Sequence, residues 1–184
     1  DISIIVPMKR VNKIMTKLIV GCFVGVSATL LVLIISGTLG SIGTEFGSLK
    51  SSILTYSTSG IRTYEPIRNF MMSWIIMSIL SMLFISNVIF VLSVLLKKKI
   101  SCFFSSLLFL FACTWGCTKI VPIFSIVHLI PTTYLNCLQV LSGEIGYLTQ
   151  NNNINALTGI IVLLVCNIVL TIINFSLMQM REVK

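Results

Sequence analysis

Between Lys99 and Lys119 the chain carries no charge for 19 residues, ISCFFSSLLFLFACTWGCT. A run of about 18 or more mainly apolar residues is the length at which a helix crosses the hydrocarbon layer. Three further stretches qualify, Leu18–Leu39, Phe70–Leu96 and Ala156–Met178. In lipid no water is present to satisfy backbone N–H and C=O groups, so isolated apolar runs of this kind must be helices. Composition agrees: 56% of residues are apolar and 10% charged, against about 25% charged in a soluble domain. The expected fold is an all-α integral membrane protein with spans at about 18–39, 70–96, 100–118 and 156–178, forming a single transmembrane domain over 1–184.

The net charge of +8 invites a nucleic-acid reading, which fails on distribution. Lys9, Arg10, Lys13 and Lys17 precede the first span, Lys97, Lys98 and Lys99 follow the second, and Arg181 and Lys184 follow the fourth. Lys50, Arg62, Arg68 and Lys119 fall on the other side. The positive-inside rule then places both ends of the chain in the cytoplasm and segments 40–69 and 119–155 outside. The basic excess records topology, with lipid as the partner and no nucleic acid.

Ahead of the first span, SIIVPMKRVNKIMTKL reads as an interfacial helix over 7–17. Pro7 suits a first turn. Ile4, Met8, Val11, Met15 and Leu18 share one face while Lys9, Arg10, Asn12, Lys13 and Lys17 crowd the remainder. Such a segment is either a basic surface anchor or a docking element for a cytoplasmic partner. In the first span Gly21 and Gly25 stand four apart, a spacing that lets helix backbones approach closely, within one bundle or between two copies. The stretch 40–69 reads as a solvated connection. In the second span Asn87, and in the last span Asn167, Thr171 and Asn174 at i, i+4 and i+7, form polar stripes that need a partner helix or line a polar path.

Lys119 lies 20 residues beyond Lys99, about 30 Å along a helix, and so reaches the far headgroups. His128 has no neighbouring His or carboxylate in the sequence, and most of the cysteines sit inside spans as small apolar residues. No metal site is expected. No phosphate-binding G-x-x-x-x-G-K-[ST] loop or H-E-x-x-H motif occurs. All five acidic residues, Asp1, Glu45, Glu65, Glu144 and Glu182, fall outside the spans, which argues against an ion-coupled carrier. Catalysis by this chain alone is not expected, and it needs no cofactor of its own.

The order of parts is more informative than any one of them. A basic entry VPMKRVNKIMTK leads into a span, two spans follow across a lysine turn, HLIPTTYLNCLQVLSG stands outside as a short helix over 131–142, and an Asn-rich NNNIN precedes the last span. This layout resembles the C-terminal two-thirds of bacterial ABC-2-type transporter permeases, in particular those paired with separate ATPases in peptide-antibiotic or lantibiotic export and immunity. The resemblance implies that these are the last four of six spans, with two more upstream. It implies that Pro7, Met8, Lys9, Arg10, Val11 and Lys13 form the coupling surface for an ABC ATPase dimer, which binds ATP and Mg. It further implies a second permease, identical or homologous, and a path for an amphipathic peptide or lipid-like substrate. Asn87, Asn167, Thr171 and Asn174 are the candidate path residues. A non-transporting four-span scaffold or accessory subunit is the alternative from another class.

Overall fold

The computed structural model describes residues 10–41, 51–57, 59–96 and 99–180. The elements run α1 (Arg10–Ser41), β1 (Ser52–Tyr56), β2 (Arg62–Pro66), α2 (Ile67–Leu95), α3 (Lys99–Lys119), α4 (Cys137–Leu141), α5 (Glu144–Thr149) and α6 (Ala156–Met180), with three short 3-10 turns between α3 and α4. Four of these helices, α1, α2, α3 and α6, are long and apolar enough to cross a membrane.

The basic entry and the first apolar stretch form one helix. α1 runs from Arg10 to Ser41, with no break at Lys17 between an interfacial piece and a span. At 1.5 Å per residue its 32 residues reach about 48 Å, longer than the roughly 30 Å hydrocarbon layer. α2 follows β2 without a linker. Pro66 ends the strand at φ −59°, ψ 132° and supplies the residue before the first turn. α2 stops at Leu95, Leu96 turns extended, and α3 starts at Lys99. α3 ends where Pro122 approaches. A proline has no N–H to donate to a continuing helix, and its ring clashes with the preceding turn. The chain leaves the helix at Ile120, φ −94°, ψ 100°, and enters a 3-10 turn that holds Pro122. Ile130 stands directly before Pro131, where helical geometry is disfavoured, and is extended.

α2 is the axis of the bundle. α1 packs antiparallel to it through the glycine pair. A Cβ placed on Gly25 would stand 2.7 Å from Met82 Cβ, and one on Gly21 would stand 3.3 Å from Ser86 Cβ. The spacing of four therefore serves packing inside this chain. Gly25→Leu is expected to force α1 off α2 at a cost of about 1–3 kcal/mol. The check is a disulfide between Gly21→Cys and Ser86→Cys with Cys22 replaced. Their Cβ separation is close to that of a natural bridge, so the bridge forms readily in the parent and fails when Gly25→Leu is added.

α6 lies on another side of α2 and runs parallel to it. Met77 faces Gly159, the Leu80 carbonyl faces Asn167 and Asn87 faces Asn174, so partners advance together along both helices. A parallel pair needs a crossover, which α3 and the capping segments 120–155 supply. The best-buried apolar residues sit in this cap and where it meets α2 and α6: Val127, Tyr134 and Ile145 in the cap, Met77 and Leu163 beneath. Farther from the cap the spans bury little. Only 12% of the α1 window and 17% of the α6 window are covered within the chain, which leaves apolar faces for lipid or other helices.

The cap differs from expectation in two places. Segment 131–142 is a 3-10 turn, Pro131–Leu135, followed by α4, with Asn136 at φ −84°, ψ 59° breaking the helix between them. The β-branched Thr132 and Thr133 suit that break. The stretch expected as a solvated connection contains an antiparallel hairpin, pairing Ser52 with Pro66 through Tyr56 with Arg62. It is fastened to the cap: Tyr56 N–H donates to the Ser142 carbonyl at 2.8 Å. Beside that bond Gly143 adopts φ +79°, and a Cβ there would collide with the Tyr56 carbonyl oxygen.

Candidate functional site

Two polar features stand out in a chain that is otherwise apolar. The first lies in the seam between α2 and α6. Asn87 Nδ2 donates to Asn167 Oδ1 at 3.0 Å, and Asn174 Nδ2 donates to Asn87 Oδ1 at 3.2 Å. Asn167 Nδ2 donates to the carbonyls of Leu163 at 2.9 Å and Leu80 at 3.1 Å. Thr171 Oγ1 donates to the Asn167 carbonyl at 2.8 Å. The helical spacing of Asn167, Thr171 and Asn174 puts them on one face, and α2 carries Asn87 opposite. All three asparagines are buried.

Asn174 is entirely enclosed, and its Oδ1 is buried without a hydrogen-bond partner among the described residues. Turning that amide over would set its oxygen against Asn87 Oδ1, so the partner fixes the orientation. The seam is neutral: it holds two helices in register and offers no group that titrates. Alongside it runs a shallow groove of ≈ 320 Å³, where Asn87, Asn167 and Thr171 meet Leu83, Leu164 and Ile168. The structure thus brings all four candidate path residues together, with the asparagine amides bonded chiefly to one another and to backbone carbonyls.

The second feature is a cleft of ≈ 640 Å³ on the cap side. The hairpin contributes Thr55, Thr63 and Glu65, the start of α2 contributes Asn69 and Ser73, and the approach to α6 contributes Asn155. Val140 and Ile154, both buried, supply apolar wall. Strand alternation sends Thr63 and Glu65 to the face opposite Arg62 and Tyr64. Sequence reading missed this site because it missed the hairpin. The signal was present in two β-prone runs, ILTY and RTYE, flanking a Ser/Gly-rich turn. Gly60 takes the positive φ of +77° that such a turn needs.

The remaining candidates fall into place as structure. Tyr134 lays its ring on Gly159, where a Cβ would come within 2.5 Å of the ring, and its hydroxyl donates to the His128 carbonyl at 2.8 Å. Burial pushes the Tyr134 phenol up to about 12, so it stays a donor. Asn151 Nδ2 lies 3.2 Å from His128 Nδ1 and donates to the Phe124 carbonyl at 2.9 Å, making the imidazole part of a loop tie. Among the described residues no three His, Cys, Asp or Glu side chains gather as a metal site, and the described cysteines are free. Lys119 is exposed at the end of α3, where a cation suits the helix C-terminus. Pro7, Met8 and Lys9 of the expected coupling surface lie outside the described residues. Arg10, Val11 and Lys13 form the first turns of α1, their side chains lying outside the description.

Comparison with known proteins gives no match, whether to a family model, a curated protein or a solved structure. The class rests on the fold itself: four long apolar helices, compatible with a multi-pass membrane protein, under a compact polar-lined cap.

Proposed function

We propose that this chain is a permease subunit of an ABC-type exporter, moving an amphipathic peptide or lipid-like substrate with ATP hydrolysed by a separate ATPase dimer. The observation that carries this reading is the continuity of α1. Arg10, Lys13 and Lys17 are wound into the same helix as Gly21 and Gly25, which seat against Ser86 and Met82. A helix is stiff along its axis, so a displacement at its basic end reaches α2 directly. The segment sits in a bacterial cytoplasmic membrane with both ends in the cytoplasm and the cap outside. ATP and Mg belong to the partner chain. A second permease completes the route, with the groove along Asn87, Asn167 and Thr171 on its wall, and the two switch between inward- and outward-facing states through differential contacts with the ATPase.

The scaffold or accessory reading is favoured by a different observation, that the seam asparagines are bonded to each other. One experiment separates them. The tagged chain is purified from its native membranes and tested for vanadate-sensitive ATP hydrolysis. The exporter reading expects activity to copurify and to fall about tenfold or more in Arg10→Glu/Lys13→Glu, with the amount of chain in the membrane unchanged. Absence of that activity in the parent preparation overturns it in favour of the scaffold.

A further inference from the structure

We propose that the cap-side cleft binds a primary ammonium group carried on a short peptide segment. The volume, ≈ 640 Å³, falls in the range of sites for small ligands, about 300–1,000 Å³. Its lining is amphipathic in the way such sites are, with Val140, Leu141 and Ile154 behind and hydroxyls and carboxamides in front.

Charge supplies the selectivity. The whole chain has 13 basic and 5 acidic residues, yet the only charged side chain lining the cleft among the described residues is a carboxylate, Glu65. The nearest basic residues in sequence are held elsewhere. Arg62 stands on the opposite face of β2 by strand alternation, and Arg68 is not part of the lining. Glu65 is itself exposed, so it draws a cation with the modest, salt-sensitive strength of a surface carboxylate.

The neutral groups point to what surrounds that cation. Asn155 Oδ1 is committed to Thr158 N–H at 2.8 Å and Thr158 Oγ1 at 3.0 Å. Its amide NH2 is thereby left as a donor. Ser73 and Asn69 add further donors on the α2 side. Donors facing one carboxylate suit a ligand whose ammonium is flanked by amide carbonyls, as in a lysine or an N-terminal residue of a peptide.

The test uses the full chain in phosphatidylcholine nanodiscs, a lipid that gives basic peptides no net surface charge to bind. The probe is a fluorescein-labelled amidated Gly-Lys-Gly-Lys peptide, read by anisotropy beside the same peptide with its amines acetylated. The parent is expected to bind the free-amine peptide about tenfold better than the acetylated one, and Glu65→Gln to weaken it about fivefold. Glu144→Gln, an exposed carboxylate on the cap outside the cleft, leaves binding unchanged. Ser73→Trp, which fills the cleft, removes it. Equal binding of the two peptides, equal loss in Glu65→Gln and Glu144→Gln, or no measurable binding by the parent overturns the proposal. None of these outcomes depends on an ATPase, so the result is independent of the exporter reading.

Discussion

Gly143→Val is expected to release the hairpin from the cap. A β-branched residue held at φ +79° carries a backbone cost of about 1–3 kcal/mol. Relaxing that strain does not help, because the new Cβ meets the Tyr56 carbonyl oxygen, and backbone cannot rotate aside as a side chain tip can. The Tyr56 N–H bond to Ser142 is then lost, worth about 1 kcal/mol more. Hydrogen exchange read by mass spectrometry checks this: the peptide covering Tyr56 should lose protection by about 100-fold, while peptides from the buried middle of α2 keep theirs. Gly116→Ala is the control. The nearest atom to its Cβ is Ile120 Cδ1 at 3.5 Å, an ordinary contact, and alanine is the better helix former by about 1 kcal/mol. Retained protection of Tyr56 in Gly143→Val would show that the hairpin is held by something other than this corner.

The second large effect is expected at Asn87. Asn87→Leu strips the donor from Asn167 Oδ1 and the acceptor from Asn174 Nδ2 in one step. Each buried polar group left unpaired costs about 1–3 kcal/mol. Interhelical hydrogen bonds measured in membranes average about 0.6 kcal/mol, since the separated helices find other partners. Asn174 Nδ2 keeps the Asn87 backbone carbonyl at 3.4 Å, so one group, Asn167 Oδ1, is left unpaired, and the two scales bracket a loss of about 1–3 kcal/mol. Asn174→Leu behaves differently despite its complete burial. It gives up the bond to Asn87 Oδ1 and a longer one, 3.4 Å, to the Asn87 carbonyl, but also removes an oxygen that has no partner, so the net change is expected within about 1 kcal/mol. Titration with a denaturing detergent, followed by a reporter on α6, should therefore rank Asn87→Leu well below Asn174→Leu in stability. Equal losses would mean that the seam is held by apolar packing alone. The pair Asn167→Leu/Asn174→Leu speaks to function: intact transport in that variant counts against a substrate path along these residues.

The long apolar runs were legible because lipid leaves the backbone one solution, and α2, α3 and α6 begin and end within three residues of where charge and proline place them. The seam was legible in part. The spacing of Asn167, Thr171 and Asn174 defines a face on one helix, but only the fold shows that Asn87 on α2 is what it meets. The glycine pair likewise announced close packing without naming Ser86 and Met82 as its partners. The cap was hidden for a different reason. Its shape is set by single backbone positions, Ile120 where α3 ends, Ile130 directly before Pro131, Asn136 between two short helices, Gly143 at positive φ. Such positions interrupt periodicity instead of producing it. Glu65 reads in the sequence only as one of five acidic residues outside the spans, because its place in the cleft depends on which face of a five-residue strand it occupies.

The short link between α2 and α3 also constrains how the two helices can cross a bilayer. Four peptide links join Leu95 to Lys99, a reach of at most about 14 Å, less than half the roughly 30 Å thickness of hydrocarbon. The end of α2 and the start of α3 must therefore lie at one membrane face, and the two helices can pass through lipid only in opposite senses, as a hairpin. The link carries three consecutive lysines in sequence, and cations are costly to bury in hydrocarbon, so the closed end of that hairpin is the end that water keeps.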